Sequence, residues 1–160
     1  MKFKLTHSLV AITMIASPLV FADTKIYTGA DCDRHSGSTE YDRANGAIRN
    51  KSASKNLIVM CPIIKDDPSM SIGGGSFHAV DQHVNKDVSC VVFSKYRNET
   101  STSSNKSVTL TTTGKKGYPQ EVTIPAISDA GPEARHFMRC RIPPKGGNFS
   151  SVVSYKVVEA

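Results

Sequence analysis

A chain of 160 residues with a net charge of +6, four cysteines and no tryptophan has room for one ordinary domain and lacks the concentrated basic face expected of a nucleic-acid binder. Beyond the first residues no apolar run reaches the roughly 20 residues that a membrane-spanning helix needs. The cationic excess is mild enough to be a solvated surface, so neither nucleic acid nor a membrane span is an expected partner.

Lys2 and Lys4 precede an apolar run from Leu9 to Val20 that closes on Val20-Phe21-Ala22. This is the charged start, short apolar core and small-residue exit of a secretory signal. The expected division is 1–22 as signal peptide and 23–160 as a single exported domain, periplasmic or extracellular. No cysteine stands directly after the predicted cut, so a lipid anchor is not expected.

The first segment of the mature part, "DTKIYTG" at 23–29, can add an N-terminal strand. "TEYDRANGAIRN" at 39–50 reads as a loop or a single helical turn, with Gly46 and poor periodicity against the helix. From Asn56 onward short β-rich runs follow one another: "NLIVMCPII", "SFHAVDQH", "DVSCVVFSKY", "SVTLTTT", "QEVTIPAI", "HFMRCRI" and "SVVSYKVV". Gly, Pro, Asn and Asp punctuate them. The expected fold is all-β, an antiparallel sandwich of Ig-like or jelly-roll-like type with about seven or eight strands.

Alternation assigns faces within these runs. In "HFMRCRI", His136, Met138, Cys140 and Ile142 share an inward side, while Phe137, Arg139 and Arg141 point out. Val88, Cys90 and Val92 form a second inward set. The run 57–64 is apolar on both faces, the pattern of a strand covered on both sides or lying centrally. Pro62 lacks an N–H, so pairing on that side is expected to stop there.

Cys32, Cys61, Cys90 and Cys140 are an even set in an exported chain, which reads as two disulfides. No C-x-x-C pair is present, which argues against a zinc site and against a redox or nucleophilic role. Four cysteines permit three connectivities that sequence alone does not separate. The strand-central settings of Cys90 and Cys140, and the need to anchor Cys32 in a polar N-terminal loop, favour Cys32 with Cys61 and Cys90 with Cys140.

The order of a Cys in a polar N-terminal loop, "VMCPI", "VSCVVFS", "HFMRCRIPP" and a final "SVVSYKVVE" resembles small secreted bacterial proteins with a strand-Cys-Pro motif, a Cys in a middle strand and a late strand ending Cys-x-Ile/Leu-Pro. The resemblance covers most of the mature chain. It implies a β-sandwich with two disulfides and brings no activity with it.

Two groups of residues carry candidate chemistry. His78, Asp81 and His83 in "FHAVDQH" are metal-ligand types. On a regular strand Asp81 and His83 share a face and His78 takes the other, so convergence requires a bulge, for which Gly73, Gly74 and Gly75 give an opening; the bland alternative is a polar edge strand. Arg135, Arg139 and Arg141, with Lys145 beyond, make a basic strip suited to carboxylate or phosphate groups; the bland alternative is protection of a sheet edge.

"SIGGGS" has neither a following Gly-Lys-Ser/Thr nor a helix and reads as a turn or bulge, and no G-x-S-x-G or H-E-x-x-H occurs. No local motif identifies a catalytic residue, and no cofactor is implied. The sequons at Asn50, Asn98, Asn105 and Asn148 suggest exposed loops. Without tryptophan, a sugar platform would fall to tyrosines such as Tyr41, Tyr96 and Tyr118.

The resulting expectation is a non-catalytic binding or structural module with a protein or glycan partner at the cell surface. The alternatives are a small metal-dependent or hydrolytic enzyme built on His78, Asp81 and His83, and a pilin-like surface-assembly subunit that exchanges strands.

Overall fold

The computed structural model describes residues 23–95, 104–107, 109–129 and 134–160. The predicted signal 1–22, Tyr96 and Asn98 lie outside the described residues. Twelve strands and one 3-10 turn follow in order: β1 (Thr24–Thr28), the turn (Gly29–Asp31), β2 (Asp33–Gly37), β3 (Tyr41–Ala44), β4 (Ala47–Asn50), β5 (Leu57–Ile63), β6 (Ile72–Asp81), β7 (Ser89–Lys95), β8 (Ser104–Lys106), β9 (Leu110–Thr111), β10 (Lys116–Ile124), β11 (Arg135–Ile142) and β12 (Ser151–Glu159). The first sheet runs β10-β6-β12-β4-β3, with β1 also on β12. The second runs β2-β5-β11-β7-β8, with β9 also on β7.

The architecture is the expected antiparallel sandwich with more strands than expected. The added ones come from short polar segments. "YDRANGAIRN" is a hairpin, β3 to β4, closed by Asn45 and Gly46 at φ 53° and 74°. Two consecutive left-handed residues make the tight turn whose twist matches paired strands, and Asn-Gly is its strongest sequence signal. The polar loop after Cys32 holds β2, which pairs with β5.

Alternation buries one side of each sheet. Leu57, Val59, Cys61 and Ile63 of β5, Cys90 and Val92 of β7, and Met138, Cys140 and Ile142 of β11 meet Phe77 and Ala79 of β6 and Val152, Tyr155 and Val157 of β12. As expected, β5 loses its β2 partner after Met60, two residues before Pro62, while pairing with β11 continues to Ile63. The glycines of "SIGGGS" lie within β6. A Cβ on Gly75 would sit 2.0 Å from the Lys156 carbonyl oxygen, so only glycine permits this approach to β12.

Both disulfides, Cys32–Cys61 and Cys90–Cys140, brace neighbouring strands of the second sheet. Cys90 and Cys140 stand directly opposite each other on β7 and β11. The sheets are joined by polar pins. The Tyr155 hydroxyl donates to the Pro62 carbonyl at 2.6 Å, and Tyr27, stacked on Tyr155 at 4.8 Å, donates to the Ile64 carbonyl at 2.8 Å. Desolvation first, then the nearby Asp31 charge, pushes the Tyr155 phenol well above its usual range. Asn50 on β4 is wholly buried, and its amide donates toward the carbonyls of Lys55, Ile142 and Pro143. That sequon position is therefore a core pin and not an exposed loop site, a correction to its reading as surface.

Candidate functional site

His78, Asp81 and His83 are not brought together. Asp81 faces inward with no solvent exposure and is engaged as an acceptor: it takes the Thr112 hydroxyl at 2.8 Å, the His83 N–H at 2.9 Å, the Val88 N–H at 3.2 Å and the Ser150 hydroxyl at 3.4 Å. His78 leaves the other side of β6, between Ser154 of β12 and Glu121 of β10. Burial alternates without a break from Phe77 to Asp81, so strand alternation separates His78 from Asp81; the register irregularities here put their extra residues on the partner strands β12 and β10, not on β6. Among the described residues no group of three His, Cys, Asp or Glu side chains is placed to hold a metal ion. Nor is β6 an edge strand, since β10 and β12 flank it.

A second cluster was not signalled in the sequence. Asp129 lies 2.8 Å from Lys65 Nζ and 2.8 Å from His136 Nε2. Lys65 also donates to the carbonyls of Pro68 and Met70. Burial first and the Lys65 charge second hold the His136 imidazole below its usual 6.5, against the opposing pull of Asp129. These groups are almost fully enclosed, and they tie the loop after β5 to the segment before β11.

The basic strip has a different setting. β11 is the middle strand of the second sheet, between β5 and β7, so its arginines are not guarding an edge. Cross-strand register places Arg141 between Ile58 and Ser89, Arg139 between Met60 and Val91, and Phe137 between Pro62 and Phe93; Arg135 stands opposite Lys95. Phe93 and Phe137 stack with centroids 5.0 Å apart, and the Arg139 guanidinium lies 5.1 Å from the Phe93 centroid.

Of the two settings expected for the doubly apolar run 57–64, β5 takes the second: it lies within its sheet between β2 and β11, and its outer face is not fully covered. Ile58 and Met60 remain half-buried on the solvent side, next to the similarly half-buried Val91, Phe93 and Phe137. Beside them a cleft of about 450 Å³ is lined by His35, Ser36, Thr109, Arg139 and Arg141. Arg135 borders a separate hollow near Ile64 and Pro68. Among the described residues neither Arg139 nor Arg141 forms an ion pair, and no acidic side chain lines the cleft. Asp33, opposite Met60, is held by Arg43 at 2.6 Å.

Among the described residues no tyrosine shares this face. Tyr41 is on β3, and Tyr118 on β10 is an exposed ring beside the Lys116 ammonium. The signal for the site was the doubly apolar run 57–64, read together with the outward Phe137, Arg139 and Arg141.

No protein-family model and no curated protein matches the chain. The expected resemblance to secreted bacterial sandwich proteins therefore stands only as two disulfides in an all-β fold. Among solved structures, the chain is similar to a low-affinity xylan-binding module from the gut symbiont Roseburia intestinalis, with TM-score 0.49, 20% identity, and 86% of this chain and 96% of that chain covered. It is also similar to a family two carbohydrate esterase from Cellvibrio japonicus, with TM-score 0.49, 5% identity and coverage of 88% and 35%. A carbohydrate-binding module solved with calcium and xylotriose gives 0.48, 9%, and 84% and 98%. What this molecule binds has to come from its own surface.

Proposed function

We propose that the protein is an exported, non-catalytic binding module whose ligand lies on the solvent face of the second sheet. The observation that supports this is the composition of that face: Met60, Val91, Phe93 and Phe137 form a half-buried apolar strip beside two arginines without ion-pair partners among the described residues. An antiparallel sheet that meets water on one side ordinarily turns polar residues outward, and contiguous apolar surface left uncovered marks an interaction site. Arginine adds planar, two-pronged donors for carboxylate or phosphate groups.

The two disulfides support the same reading. They fix β2 to β5 and β7 to β11 directly beneath the face, so less order has to be imposed when a ligand binds. They also suit an oxidising compartment, which agrees with export. No helix among the described residues is long and apolar enough to cross a membrane.

Affinity electrophoresis of the 23–160 chain through gels containing soluble neutral or acidic polysaccharides tests the proposal. Retardation by at least one polymer, unchanged polymer length after incubation, and loss of retardation in Phe137→Ala without loss of fold are the expected results. Shortened polymer would mean catalysis, and retardation that survives both Phe137→Ala and Met60→Asp would move the site elsewhere.

A further inference from the structure

We propose, resting on that reading of the second sheet, that the ligand is an extended polysaccharide carrying carboxylates on its sugars, a uronic-acid polymer. Charge gives the first argument. Arg135, Arg139 and Arg141 project from β11, and Lys95 stands opposite Arg135 on β7. The acidic side chain nearest them across the register, Asp33, is occupied by Arg43. Among the described residues, the stretch around Arg139 and Arg141 is complementary to an anion.

Spacing gives the second. Arg139 and Arg141 are two residues apart on one strand, about 7 Å, and Arg135 lies about 14 Å beyond Arg139 at the ordinary rise of a strand. The cations therefore form a line over roughly 20 Å, which suits a chain with repeated charges better than one small anion. Between the cations lies the apolar strip. It can cover the C–H faces of sugar rings while the guanidinium forks take the carboxylates. The hydroxyls of Ser36 and Thr109 at the cleft are partners of the kind sugar hydroxyls require.

Other polyanions fit less well. An extended peptide is normally captured through main-chain hydrogen bonds at a free sheet edge, and both sides of β11 are already paired to β5 and β7. Single-stranded nucleic acid needs open aromatic faces on which bases stack. Here Phe93 and Phe137 stack on each other, and Arg139 lies over Phe93.

The test is equilibrium binding of the 23–160 chain to four probes: polygalacturonate, the same polymer with its carboxylates methyl-esterified, polyglutamate and oligothymidylate. Polygalacturonate is expected to bind most tightly, at least tenfold better than its ester, and to weaken as salt rises. Each of Arg139→Ser and Arg141→Ser should cost about tenfold, the worth of one charge-assisted contact. Arg139→Lys should recover only part of that loss, because an ammonium cannot make the two-pronged contact.

Equal binding of polymer and ester, still abolished by Phe137→Ala, would overturn the carboxylate assignment while leaving the binding face intact. Equal binding of polyglutamate or oligothymidylate would overturn the sugar assignment. Binding unaffected by Phe137→Ala and by both arginine substitutions would overturn the face itself.

Discussion

On the first sheet the outward polar groups answer one another: His78 of β6 lies 4.0 Å from Glu121 of β10, whose carboxyl is held below its usual range first by the Ser76 hydroxyl and also by the neighbouring His78 and Lys156 side chains. On the second sheet Arg139 and Arg141 have no such partner among the described residues, and across the register Arg139 meets Met60 and Val91 while Arg141 meets Ile58 and Ser89. The covalent bracing differs in the same direction, with both disulfides in the second sheet. Both outer surfaces carry some apolar groups, Ile26, Val80 and Val158 on the first among them; what sets the second apart is its arginines without ion-pair partners among the described residues and its two disulfides. Stability alone does not require those arginines, because unpaired surface charges contribute little to folding.

The disulfides give the largest expected effect. Replacing Cys90 and Cys140 together by Ser should cost about 2–5 kcal/mol in denaturant unfolding. The Cys32 and Cys61 pair should cost about 0.5 kcal/mol less on chain-entropy grounds, since it closes a span of 29 residues against 50. Amide exchange should then rise first in β2, β5, β7 and β11. Earlier loss of protection in β6 and β12 would break the distinction between the sheets.

Next comes the clamp between the sheets. Tyr155→Phe removes the donor to the Pro62 carbonyl and should cost about 1–3 kcal/mol, the usual penalty for a buried group left unpaired. A loss below about 0.5 kcal/mol in the same unfolding assay would fall short of that range and show that the Tyr27 and Ile64 contacts suffice.

His136 adds a dependence on pH. Its pKa is lowered by burial and by Lys65, so the unfolded chain takes up a proton near 6.5 while the folded one resists it. Stability should be fully present above that value and fall as pH drops from it toward the lowered native value. His136→Gln should flatten the profile in that window; a profile already flat in the parent protein would remove the burial argument.

The smallest stability effect is expected where the functional effect is largest. Arg139→Ser combined with Arg141→Ser should shift unfolding by no more than about 1 kcal/mol, measured beside the binding assay. A large destabilisation would return these arginines to a structural role.

The sandwich, the inward set on β11 and both disulfide pairs were legible because period-two burial and inward cysteines leave a plain trace in sequence. The β3–β4 hairpin was equally marked by Asn45-Gly46, but its short, polar flanks obscured it. Asn50 and Asp81 were not legible as buried pins, since their partners are mostly backbone groups and hydroxyls distant in sequence. The candidate site was half legible: the outward arginines followed from alternation, whereas the uncovered face of β5 needed the strand order, which local patterns do not encode.

Chemical-shift perturbation of the 15N-labelled 23–160 chain by polygalacturonate measures the central claim most directly. The account predicts shifts concentrated at Ile58, Met60, Val91, Phe93 and the alternate β11 positions Phe137, Arg139 and Arg141, with the solvent face of β6, β10 and β12 unmoved. Perturbation centred on His78, Glu121 and Lys156, with β11 silent, would contradict it.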